Sequence, residues 1–150
     1  MTLNEILTKQ NVITKILLTD GNKELPKALK VKIMRIRMAY TKIKKNFDEE
    51  VQEFTKELIP EEFRMLSDKQ DRTDSENQRL EELTNKVNTE YQEFLIQKGN
   101  EEVEVIDDTF TIDDYSEIVD VNSKNDVEIN GTSVKAADFL EIIYELFIKE

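Results

Sequence analysis

The sequence predicts an α+β fold dominated by helix: a long antiparallel helical hairpin followed by a small C-terminal module of β-hairpin and helix. Three observations lead there. Leu29, Ile33, Ile36, Tyr40, Ile43, Phe47, Val51, Phe54 and Leu58 follow one another at intervals of three and four residues, the seam of one long amphipathic helix. The stretch SDKQDRTDS, Ser67 to Ser75, carries no apolar residue and separates that seam from a second one. After Gly99 the spacing changes to the alternation of strands. The expected division therefore falls at 98/99, between a helical region (1–98) and an acidic α+β module (99–150).

At the N-terminus, Thr2 and Glu5 have capping-box spacing, and Leu3, Ile6, Leu7, Ile13, Ile16 and Leu17 share one helical face. Asp20-Gly21-Asn22 is a stop signal. Pro26 suits the first turn of the next helix, since its missing N–H is unpaired there anyway. A helix from Pro26 to Leu58 is about 50 Å long at ~1.5 Å per residue, more than a small globule buries, so its seam is expected to need a partner, with its start left for the first helix or for another chain. Two adjacent four-residue steps at Phe47 make a stutter. Pro60 ends or kinks the helix, and PEEF restarts one with Glu61 and Glu62 near its positive end. Asp74 or Ser75 is expected to cap a further helix carrying Leu80, Leu83, Val87, Tyr91, Phe94 and Leu95, which Gly99 ends. A short polar connection between two seamed helices favours antiparallel packing.

Beyond Gly99, EVEVI and TFTI read as strands with Asp107-Asp108 as a turn between them. DDYSEI reads as a helical turn, VDV and VEI as renewed alternation. Phe139, Leu140, Ile143, Leu146 and Phe147 mark a terminal helix. DVEINGTSVKAADFLE admits two readings. Asp126, Glu128, Asn130 and Gly131 begin like a calcium-binding EF-hand loop, but the twelfth position, where a bidentate acid is required, is Ala137. A β-hairpin with Asn130-Gly131 at its tip, between Val127–Ile129 and Thr132–Val134, uses only what is present.

Composition narrows the chemistry. The chain has 150 residues, 38% apolar and 36% charged, with no cysteine and no histidine. Disulfides, thiolate metal sites and thiol nucleophiles are excluded, and the usual general base near neutral pH is missing. No catalytic, cofactor-binding or metal site is expected, and the function is read as non-enzymatic. The acidic pairs Asp107-Asp108 and Asp113-Asp114 lack any Gly-rich phosphate loop or activating base. No apolar run approaches the ~20 residues of a membrane span, so no membrane partner is expected.

Charge is unevenly placed. The net charge is −12, and residues 99–150, with fifteen acids against three lysines, account for all of it. Lys23 to Lys45 holds nine basic residues and one acid, whereas Asp48 to Glu62 holds seven acids and one lysine. Lys27, Lys30, Lys32, Arg35, Arg37, Lys42, Lys44 and Lys45 surround the apolar stripe rather than forming one broad band. An acidic protein partner, in this chain or a neighbour, fits them better than nucleic acid, which the acidic whole repels. Met34 and Met38 are read as packing residues.

With these parts in order, the chain resembles a family of small tailed-phage proteins of unknown function. The resemblance lies in ELPKALKVKIMRIRMAYTKIKKNFDEE, then a second helix, an acidic segment and the terminal DFLEIIYELFI. It implies a phage protein acting through protein contacts, in the host cytoplasm during infection or in the virion. The role implied is a minor virion component or an assembly factor of the tail or head–tail region. Its partner would be a second copy, another phage protein or a host protein, giving a homo- or hetero-oligomer, with Leu29 to Leu58 as the interface. The alternative, motivated by the −12 charge of the last third, is an acidic phosphate mimic that inhibits a host nucleic-acid-binding or defence protein through residues 101–128, with Asp107, Asp108, Asp113 and Asp114 as its charged candidates.

Overall fold

The structure, a computed structural model, describes residues 1–18, 25–105, 110–122, 126–129 and 131–148. It is mostly helical. The described elements run α1 (Leu3–Leu18), α2 (Lys27–Leu58), α3 (Glu61–Asp68), α4 (Asp74–Gly99), α5 (Ile112–Asn122), β1 (Val127–Ile129), β2 (Thr132–Val134) and α6 (Ala136–Phe147). The sequence signals at Asp20-Gly21-Asn22 and Asp107-Asp108 lie outside the described residues.

These elements form two compact units. One comprises Met1 and residues 3–44 and 103–150; the other comprises Thr2 and residues 45–102. This corrects the division expected at 98/99. The first half of α2 belongs with the C-terminal segment, because both are needed to build one core.

That core shows where the upper seam goes. Leu29, Ile33, Ile36 and Tyr40 of α2 are buried among Ile6, Ile13 and Ile16 of α1, Ile118 of α5, and Phe139, Ile143 and Phe147 of α6. Each fully buried aliphatic or aromatic side chain contributes about 1.5–3 kcal/mol, so this cluster is the main source of the unit's stability. Ile43 packs half-buried at its edge. Of the two partners left open for the start of α2, the first helix or another chain, Leu29, Ile33, Ile36 and Tyr40 take the one within the chain, which corrects their place in an intermolecular interface. The chain buries them itself.

The C-terminal segment also departs from the expected strands. EVEVI forms no regular strand over its described residues: Glu102 makes one isolated bridge with Thr2, and the Val103 N–H donates to the Met1 carbonyl at 2.9 Å. In TFTI, Phe110 is buried and its N–H donates to the Phe147 carbonyl, while Ile112 already opens α5. The VDV stretch lies within α5 rather than in a strand. Helix prevails because Tyr115, Ile118 and Val119 put one helical face on the core. Thr111 and Asp114 also exchange side-chain–backbone hydrogen bonds of 3.0 and 3.1 Å, satisfying free N–H groups at the helix start. The Tyr115 hydroxyl donates to the Leu140 carbonyl of α6 at 3.0 Å, and burial raises its pKa above the usual phenol range.

β1 and β2 pair antiparallel, Val127 with Val134 and Ile129 with Thr132. Gly131 between them has φ +78°, a conformation that costs a side-chain-bearing residue about 1 kcal/mol. The Asp126 carboxylate accepts from the Ala136 N–H at the start of α6, at 3.4 Å. That oxygen serves a helix terminus.

The second unit has a different texture. Leu83 and Gly99 are its buried residues among those described. Phe54 and Phe94 stack with centroids 4.0 Å apart and planes within 5°. Ion pairs link Glu50 to Lys98 at 2.7 Å and Glu62 to Arg79 at 2.9 Å. Partners thus rise along α2 and α3 while they fall along α4. The loop between α3 and α4 is held by Arg72, which donates to the carbonyls of Leu66 and Lys69 and to the Asn77 side chain.

Candidate interaction surface

Two surfaces, one on each unit, carry functional potential. The first is the face of α2 opposite its buried seam. At ~100° per residue, Val31, Met34 and Met38 fall together on the side away from Leu29, Ile33, Ile36 and Tyr40. They are 55, 52 and 69% exposed. Exposed Lys27, Arg35 and Lys42 lie on the same side. Reading the two methionines as packing residues is thus corrected. The signal that finds them is a second three-and-four spacing, Val31–Met34–Met38, running out of phase with the main seam.

The rest of the expected basic patch is dispersed. Lys32 faces inward, bonding Asp114 of α5 at 2.8 Å and lying 5.7 Å from the Phe110 ring. This is an internal tie, not a patch residue. Burial opposes ionisation of Asp114, yet the bonds from the Lys32 ammonium and the Thr111 N–H outweigh it and hold the carboxyl below its usual range. Lys30 and Lys44 are half-buried, and Arg37 and Lys45 are exposed away from the core. Of the acidic candidates, Asp113 is exposed, Asp114 is committed to Lys32 and to its helix cap, and Asp107 and Asp108 lie outside the described residues.

The second surface is an open groove of about 560 Å³ on the other unit, lined by Asn46, Glu49, Glu50, Glu53, Phe54, Glu57 and Phe94. The stacked phenyl pair and four carboxylates together make up most of its lining. Glu50 is bound to Lys98, whose ammonium pKa is raised by that hydrogen bond. Glu53 has Lys56 at 3.6 Å. Glu49 and Glu57 make no ion pair among the described residues. Of the lower seam, Phe54 contributes directly to the groove, while Phe47, Val51 and Leu58 are half-buried. The sequence reading missed the groove because Phe94 comes from a helix forty residues further along.

Among the described residues no three acidic groups converge as a metal site, and no helix is long and apolar enough to cross a membrane. Comparison with protein-family models, with curated proteins and with solved structures yields no match.

Proposed function

We propose that this chain is a non-enzymatic protein that works by binding other proteins. In this reading it is a phage product that serves in virion assembly, as a minor component or an assembly factor of the tail or head–tail region. The helices of its second unit pack as an antiparallel hairpin. The observation that carries the reading is the exposed Val31–Met34–Met38 stripe bordered by Lys27, Arg35 and Lys42. Three large apolar side chains in a row on one helix face are unfavourable in water unless something covers them, and flanking cations select an acidic partner. The phage setting rests on the resemblance of the Leu25-Pro26-initiated basic-then-acidic helix and the segments after it.

The test is genetic. Met34→Glu with Met38→Glu leaves the core untouched and removes the stripe. Infection with phage encoding this pair should yield about tenfold fewer complete particles, since burying one charge in an apolar contact costs several kcal/mol. A normal particle yield would sink the proposal.

A further inference from the structure

The two surfaces complement each other. One presents sulfur-bearing and aliphatic side chains between cations; the other is lined by two stacked phenyl rings beside carboxylates. Thioethers pack favourably against aromatic rings, often at the ring edge, so Met34 and Met38 suit a groove lined by Phe54 and Phe94. Charges match in sign: Lys27 and Lys42 border the stripe, and Glu49 and Glu57 line the groove. Those two carboxylates are the ones without an ion pair among the described residues.

We infer that the basic apolar face of α2 docks into the acidic aromatic groove of a second copy of this chain. The inference rests on the protein-binding reading above and names the partner. Each copy carries one face and one groove, so the contact is heterologous. It joins copies head to tail, either closing into a ring or continuing as a filament. The −12 net charge opposes association of whole chains at low ionic strength, while the local contact is attractive. Docking is therefore expected to be specific rather than very tight.

Complementation by two full-length variants tests it, with mass read by light scattering over a concentration series. Wild type should gain mass with concentration. Met34→Glu/Met38→Glu, with its face destroyed, and Glu49→Lys/Glu57→Lys, with its groove destroyed, should each remain monomeric at every concentration. Their helix content by circular dichroism should match wild type, since all four side chains point to solvent or line an open groove. Mixed one to one, the variants should form a heterodimer that grows no further, because only one intact face and one intact groove remain. A monomeric wild type overturns the inference, as does a mixture that stays monomeric or variants that each still assemble. None of these results decides the particle-yield test, so failure of self-docking is distinguishable from failure of the protein-binding role.

Discussion

Asp114 shows how one side chain can be claimed by the fold. Its Oδ2 receives both the Thr111 N–H at the start of α5 and the Lys32 ammonium from α2, and Lys32 and Asp114 are both 23% exposed. Its pKa in the folded state is lowered, so the contact stabilises above the unfolded carboxyl pKa and is lost as the pH falls through the folded one. Asp114→Asn keeps an oxygen for the cap and removes only the charge. The variant should be about 1 kcal/mol less stable than wild type at pH 7. That gap should hold down to about pH 5, then shrink through the carboxylate range and vanish below Asp114's depressed pKa. Urea denaturation from pH 7 to pH 2.5 measures it, and a gap that persists at the acid end would refute the assignment. A charged group can look like a surface feature in sequence and still be structural, because its partner lies eighty-two positions away.

At the scale of elements, the α4 start illustrates what local signals decide. Asp74 and Ser75 are good capping residues, yet Thr73 occupies the cap, with extended φ −71° and ψ 165°. It accepts from the Glu76 N–H while Glu76 accepts from the Thr73 N–H, both at 3.2 Å. The bond from Lys69 is the leading cause of the lowered Glu76 pKa, so the α3–α4 loop and the cap share one carboxylate. Thr73→Ala should lower stability by about 1 kcal/mol, read as a lower urea midpoint by far-UV circular dichroism, and an unchanged midpoint would show the box to be dispensable. The long helices were legible because three-and-four spacing persists over many turns. The helix over 112–122 was not, because VDV mimics a strand. The decisive Tyr115–Ile118–Val119 face and the Thr111–Asp114 cap had to be weighed against that alternation. Pairings such as Thr2 with Glu102 leave no local trace at all.

At the scale of the molecule, sequence periodicity cannot say who covers a seam. Leu29 to Tyr40 reads the same whether another chain or the rest of this one covers it, and here it shares one buried cluster with residues of α1, α5 and α6. The consequence is an uneven distribution of stability along α2. Its first half is set in a cluster with Ile6, Ile33, Phe139 and Ile143 wholly buried, whereas residues 45–102 depend on a stacked phenyl pair, ion pairs and helix caps around Leu83. Solvent-exposed ion pairs add little, and local opening follows the density of buried apolar contacts. Amides at Ile33–Tyr40 should therefore exchange more slowly than those at Leu80–Leu95 by about two orders of magnitude, or about 3 kcal/mol of opening free energy. Both segments are helical, so a difference in protection reports packing rather than hydrogen bonding. Unfolding should proceed in two steps, residues 45–102 first. Uniform protection across both segments, with a single transition by every probe, would mean that α2 transmits the stability of its buried half along its whole length.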